Sequence, residues 1–276
     1  MIQPRLPPEL YRLIIEYIDG PSALRAVLLI SRDWYHEVER CLYGRISTVL
    51  PPGCCKTTKQ ADRKRIQYEE MLLRVSQSPR LGLLLVHLNL HGVDKTFGDR
   101  PFFLRSWTGF IPALSLTCLN LRSLELPSRH PQPFLPPTTA LFKLRIFKFD
   151  RSRPYAIGKI ANFRADVERF LESQPMIQEL ALPPWICLLS LNPGTLLNLR
   201  VLSACTSNCA ILLPGRRVEE VVMTHGLMLS TFNVFDPIPS LKNVILFSFM
   251  LERLQLFSRS FIYFEHLDIG LVCLFS

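Results

Sequence analysis

Several kinds of chemistry are missing from this sequence. Its eight cysteines include no CxxC pair, and adjacent Cys54 and Cys55 lack the spacing at which two thiolates chelate zinc, so no metal site is expected. No window holds the ~18 uncharged apolar residues that a membrane span requires. Arg12 and Glu16 interrupt the first apolar stretch, which therefore lacks the unbroken run of a secretory signal. No GxSxG occurs, and no carboxylate pair or Cys–His couple stands out. The string Gly53-Cys54-Cys55-Lys56-Thr57-Thr58 lacks the first glycine of a phosphate loop, and no apolar strand feeds it. His87 and His91 are four apart but fall on a strand and its exit, where that spacing makes no metal pair, and they read as exposed polar residues. The expectation is a chain with no catalytic residues, no metal and no cofactor.

What is present describes a folded protein. Charged residues are 20% and hydrophobic ones 48% of 276, enough for one large domain or two smaller ones with a real core. The net charge of +9 leaves nucleic acid, anionic membrane and acidic protein open as partners. That excess is thinly spread. Its only dense stretch, Lys56 to Arg65, reads as a solvated face ahead of any nucleic-acid patch or nuclear import signal. Cysteines inside apolar strings behave as small hydrophobes and fit a reducing compartment, the cytoplasm or the nucleus.

The first forty-six residues carry three short helical patterns. Pro7-Pro8 opens the first, because a proline in the first turn loses no hydrogen bond. Glu9 suits the helix dipole there. Leu10, Ile14, Tyr17 and Ile18 form one apolar stripe, and Asp19-Gly20-Pro21 ends the pattern. Ser22 caps a second helix with Leu24, Val27 and Leu28. A third starts at Ser31 and Asp33 and carries Trp34, Val38, Cys41 and Leu42. Helices this short are marginal alone, so something must cover their faces. Spacing leaves two readings level, a cap on the following domain and a docking unit for a partner.

The residues themselves resemble an F-box: Leu6-Pro7-x-Glu9-Leu10, the apolar stretch Ile14 to Ile18, Leu24 with Val27 and Leu28, Ser31-Arg32-x-Trp34, and Leu42-Tyr43. The resemblance spans Leu6 to Ile46 and departs at Gly20-Pro21, between helices, where a loop tolerates it. It implies a three-helix module that binds the small Skp-type adaptor of a cullin–RING ubiquitin ligase. On that resemblance Leu6, Pro7, Leu10, Ile14, Leu24, Val27, Leu28 and Trp34 are the adaptor-binding residues, with Trp34 also able to pack internally.

From residue 83 onward an apolar-xx-apolar-x-apolar triplet recurs. It reads Leu85-VH-Leu88-N-Leu90, Leu121-RS-Leu124-E-Leu126, Leu144-RI-Phe147-K-Phe149 and Ile177-QE-Leu180-A-Leu182. Then come Leu199-RV-Leu202-S-Ala204, Val218-EE-Val221-V-Met223, Leu241-KN-Val244-I-Leu246 and Phe264-EH-Leu267-D-Ile269. The middle anchors are 36, 23, 33, 22, 19, 23 and 23 residues apart, close to the leucine-rich-repeat period at five of seven steps. The Asn or Cys such repeats carry three positions later is missing at Val93, Arg129, Ser152, Trp185, Ser207, Gly226, Phe249 and Val272. The repeat is therefore degenerate. Helical returns are expected at Ala165–Ser173 and Met250–Ser258, and an extended loop at Pro127–Pro137.

The expected fold is α/β: an F-box over residues 1–50, a connector over 51–82 with a basic helix, and an irregular leucine-rich-repeat-like solenoid with a parallel strand stack over 83–276. In the connector helix, Arg63 to Ser76, Ile66, Met71, Leu72 and Val75 should point inward. The residue between the last two anchors should face outward, giving a target-binding column of Asn89, Glu125, Lys148, Ala181, Ser203, Val222, Ile245 and Asp268. Its mixed charge and apolar members fit a protein target better than nucleic acid. Cys273-Leu274-Phe275-Ser276 matches a farnesylation pattern, yet no basic cluster precedes it, and a chance cysteine is the favoured reading. No polar capping unit follows Ile269, so the C-terminus is expected to be incomplete. Together these features imply a substrate-recognition subunit of an SCF-type ubiquitin ligase. The alternative is a leucine-rich-repeat scaffold outside such ligases, its N-terminal helices acting only as a cap.

Overall fold

The computed structural model describes residues 7–18, 21–29, 34–49, 58–91, 110–127, 134–150, 160–224, 239–247 and 266–270. The recurring triplets become short strands: β2 (His87–Asn89), β3 (Ser123–Leu126), β4 (Ile146–Phe149), β5 (Glu179–Ala181) and β6 (Val201–Ala204). β7 (Glu220–Thr224), β8 (Asn243–Phe247) and β9 (His266–Gly270) continue the series, and β1 (Arg45–Ser47) precedes it. All nine form one sheet in chain order, each parallel to its neighbours. The architecture is α/β and solenoid-like.

The register is the one the triplets imply. Ile46, Leu88, Leu124, Phe147, Leu180, Leu202, Val221, Val244 and Leu267 are partners across the nine strands. Ile46 through Val244 in that column are buried, as are the first anchors Leu85, Leu121, Leu144, Ile177, Leu199, Val218 and Leu241. Each fully buried Leu or Phe contributes roughly 1.5–3 kcal/mol, which is how such short strands hold together. One continuous apolar cluster runs from Ile46 to Val244.

The sheet starts earlier than the triplets suggest. Tyr43-GR-Ile46-S-Thr48 is a first unit in which tyrosine and threonine stand for leucines, and that substitution hides it. Thr48 is fully buried, and its hydroxyl donates to the Asn89 carbonyl at 3.2 Å. Residues 58–82 therefore lie between two strands of the sheet instead of ahead of it. They form α4 (Thr58–Gln77) and α5 (Pro79–Gly82), and α1 (Pro8–Glu16), α2 (Pro21–Leu28) and α3 (Tyr35–Gly44) precede them. Leu72 and Val75 of α4 are buried and Met71 packs against the core, but Ile66, expected inward, is exposed. Among the described side chains of α4, those of the C-terminal half reach the core; Lys59, Arg63 and Lys64 lie with Ile66 in the solvated half.

Later returns are partly helical. α6 (Phe110–Thr117) buries Phe110, Ile111 and Leu114, and α7 (Ile160–Glu172) buries Phe163, Val167, Phe170 and Leu171. Phe170 lies 5.1 Å from Phe147, ring to ring. A Cβ on Gly82 would come within 2.7 Å of the Thr117 carbonyl oxygen, so α5 approaches the end of α6 only because that residue is glycine. α8 (Thr206–Leu212) follows β6 directly and supplies the asparagine missing at position 207 one residue later. The buried Asn208 amide donates to the Ile186 carbonyl at 2.6 Å and accepts from the Leu188 N–H at 2.8 Å, so it substitutes for a peptide neighbour. After α8, Gly215 takes φ 71°, and the chain turns so that buried Arg216 caps the helix end. Arg216 donates to the carbonyls of Ile211, Leu212, Pro214, Thr195 and Asn192. Burial lowers the pKa of Arg216. The expected helix at Met250–Ser258 lies outside the described residues, as does the stretch from 128 to 133 within the expected proline-rich loop.

Candidate docking surfaces

The three N-terminal helices have a small interior. Ile15, Leu24 and Val38 are buried together, with Ile18, Val27, Leu28, Trp34, Cys41 and Leu42 packed around them. The Tyr11 ring lies 4.7 Å from that of Trp34. The inward stripe of α1 is therefore Tyr11, Ile15 and Ile18, one position round the helix from Leu10, Ile14 and Tyr17. Those three and Leu13 are exposed, Tyr17 by 87%, and Leu29 at the end of α2 is 90% exposed. Helix α1 is thus apolar on two sides, one spent inside the module and the other turned to solvent.

Of the residues assigned to adaptor binding, Pro7, Leu10 and Ile14 are exposed. Leu24 is not: its side chain is a core residue of the module, because α2 is only 8 residues long and needs its one central leucine for packing. Val27, Leu28 and Trp34 are half-buried against the same cluster. Leu6 lies outside the described residues. Leu13 and Leu29 join this exposed set, and both are apolar positions legible in the sequence.

The module joins the stack through backbone and charge. The Val86 N–H donates to the Gly44 carbonyl at 2.9 Å, and Thr48 N–H to Asn89 carbonyl at 2.9 Å. Half-exposed Arg80 of α5 grips Glu39 of α3 with both guanidinium nitrogens, Nη2 at 2.8 Å from Oε1. The Arg80 hydrogen bonds hold the Glu39 carboxyl below its ordinary value, although burial acts the other way. A cleft of about 650 Å³ lies at this joint, lined by Arg12, Arg40, Arg45 and His87 over Ile15, Ile18 and Leu84. Burial, and then Arg45 beside it in register, keep the His87 imidazole below its ordinary pKa, with Glu125 opposing in part.

The second surface is the outer face of the sheet. Asn89, Glu125, Lys148, Ala181, Ser203, Val222, Ile245 and Asp268 are strand partners in one column, which Ser47 extends. Asn89 donates to Glu125 at 2.6 Å and accepts from the His91 N–H at 2.9 Å, while His91 Nδ1 stands 3.6 Å from Glu125. Ser203 and Val222 are buried, so the column offers less side chain at β6 and β7 than its spacing implied. Asp268 holds its strand position, and its side chain lies outside the described set. A parallel column two residues earlier shares the face: His87, buried Ser123, Ile146, Glu179, Val201, Glu220 and Asn243. Lys148 bridges the two columns to Glu179 at 2.5 Å. Cys273 lies outside the described residues.

Burial pushes the Cys118 thiol up to about 11 and raises that of Cys209 further, so neither is a thiolate at neutral pH. Among the described residues no group of three or more His, Cys, Asp or Glu side chains is placed to hold a metal ion. Nor is any helix there long and apolar enough to cross a membrane. The fold and its surfaces define a class: a parallel α/β stack carrying an apolar-faced helical module on its first strand. No protein-family model matches the chain, and no curated protein matches it in sequence.

Proposed function

We propose that this chain is the non-catalytic substrate-recognition subunit of an SCF-type ubiquitin ligase. Residues 1–50 act as an F-box that docks on a Skp-type adaptor, and the strand stack, a degenerate leucine-rich-repeat domain, receives a protein target on its outer face. Ubiquitin transfer belongs to the associated cullin–RING ligase and its conjugating enzyme. The observation that carries the reading is the doubly apolar α1. A monomer gains nothing from exposing Leu10, Leu13, Ile14 and Tyr17 on one short helix beside Leu29, whereas a partner groove would bury them.

Co-purification with a Skp-type adaptor tests it. Leu10→Asp with Ile14→Asp should abolish capture while leaving the thermal midpoint within a few degrees, because both side chains are exposed. Capture that survives the double substitution sinks the adaptor reading.

One observation favours the second reading, in which the helices are only a cap on a binding scaffold. The chain leaving α3 becomes β1, which covers the edge of β2. Deleting residues 1–46 therefore removes an edge strand under either reading and cannot separate them. Substitutions confined to the exposed face can.

A further inference from the structure

The leading edge of the sheet, where each return turns into its strand, carries two rows that neither docking surface uses. The first is apolar. Leu83, Leu119, Leu141, Met176 and Leu197 stand just ahead of buried first anchors and are between 41% and 59% exposed. The second is cationic. Arg122, Arg145, Arg200 and Lys242 each follow a first anchor directly, and all are exposed.

Backbone geometry aligns the positions of the second row. The Val86 carbonyl accepts the N–H groups of Arg122 and Ser123, and the Arg122 carbonyl accepts those of Arg145 and Ile146 at 2.7 and 2.9 Å. The same double acceptance recurs at Arg145, Gln178, Arg200 and Glu219. Arg122 and Arg145 therefore lead adjacent strands, roughly 4.8 Å apart, while Gln178 stands between Arg145 and Arg200 and Glu219 between Arg200 and Lys242. Side chains stitch the turns as well: Asn120 donates to the Leu83 carbonyl at 2.7 Å and Asn198 to that of Pro175 at 3.0 Å.

The cations are mostly unanswered. Among the described residues no carboxylate lies within ion-pair distance of Arg122, Arg145 or Lys242. Arg200 has Glu219 at 3.9 Å, an exposed and weak pair. Arg122 and Arg145, like charges side by side on neighbouring strands, repel, and an anionic partner relieves that.

We infer that this leading edge is a docking surface for an acidic amphipathic segment of a partner protein. Its carboxylates meet the arginine row, and its apolar side chains meet the leucine row. Two features select a polypeptide over other polyanions. Neither row holds an aromatic side chain on which nucleic-acid bases would stack. Each row is also one residue wide per unit, where a bilayer surface engages a broad face flanked by Trp and Tyr. The inference needs only the strand stack and is independent of adaptor docking.

The probe is a synthetic acidic peptide with leucines at helical spacing, titrated into the full chain by fluorescence anisotropy at low and high salt. Saturable, salt-weakened binding is expected. Arg122→Glu with Arg145→Glu should weaken it about tenfold, as should Leu119→Ser with Leu141→Ser. The Arg122 guanidinium also holds the Lys143 carbonyl at 3.3 Å, so Arg145→Glu with Lys242→Glu is a second charge variant should the first fail to fold. Melting by circular dichroism checks each protein. The inference is overturned by no binding, or by unchanged affinity in the folded variants. Equal affinity for a leucine-free peptide, a single-stranded oligonucleotide or phosphatidylserine vesicles overturns it too.

Discussion

The helical module and the strand stack are both assembled from short elements, and they treat apolar surface in opposite ways. In the stack, each unit from β2 to β7 sends three anchors inward, and its neighbours cover them, so the cluster from Ile46 to Val244 is closed by repetition. In the module, Ile15, Leu24 and Val38 form a nucleus of three buried residues while Leu10, Leu13, Tyr17 and Leu29 stay in solvent. Repetition lets a stack bury its strand anchors without a partner. Three helices of 8 to 10 residues have too few neighbours for that, and what they leave exposed is available for binding.

The contrast predicts two kinds of unfolding. Phe147 is fully buried, with Phe149 and Phe170 at 5.0 and 5.1 Å, so Phe147→Ala should cost about 3–5 kcal/mol and lower the denaturation midpoint of the whole sheet. Ile15→Ala, at about 2–5 kcal/mol, should open the module alone. Hydrogen exchange would then rise in residues 8–44 and remain slow in β3 to β7. Equal acceleration in both regions would show that they unfold as one body, and the contrast would fail.

Within the stack, Asn208→Ala should cost about 1–3 kcal/mol, since it strands the Ile186 carbonyl and the Leu188 N–H inside the protein. Denaturant titration reads that loss. If Asn208→Ala is silent, the return from β5 to β6 is held by its leucines and not by the amide.

Asn208 also shows what could be read from the sequence. The triplets placed every strand from β2 to β9 and their register, because anchors at a fixed spacing leave one alignment that buries them all. The outer-face column followed from the same alternation, although Ser203 and Val222 within it are buried. β1 escaped because Tyr43 and Thr48 occupy anchor positions, and Asn208 escaped because α8 begins straight after β6 and shifts the amide by one residue. At the module, spacing found an apolar stripe on α1 but could not separate the inward side, Tyr11 and Ile15, from the outward side, Leu10 and Ile14. Both sides are apolar, and only packing against Val38 and Trp34 distinguishes them. Leu24 of α2 likewise packs inside the module, which its spacing alone does not reveal.

The smallest expected effect lies where the two regions meet. Glu39 of α3 is buried and held by Arg80 of α5, so its carboxyl titrates below the ordinary 4.5 in the folded protein. A depressed folded pKa contributes stability that is fully present above the unfolded value and is lost as pH falls through the folded one. Glu39→Gln should therefore lower the thermal midpoint modestly at pH 7, and by the same amount at any pH well above 4.5. The gap to the native protein should close as the pH drops below that value, because the native carboxyl then takes up its proton and loses its charge toward Arg80. Thermal melts of both proteins across that range decide the matter. A gap that persists at acid pH would mean that Glu39 acts through shape and not charge, and that β1 alone joins the module to the stack.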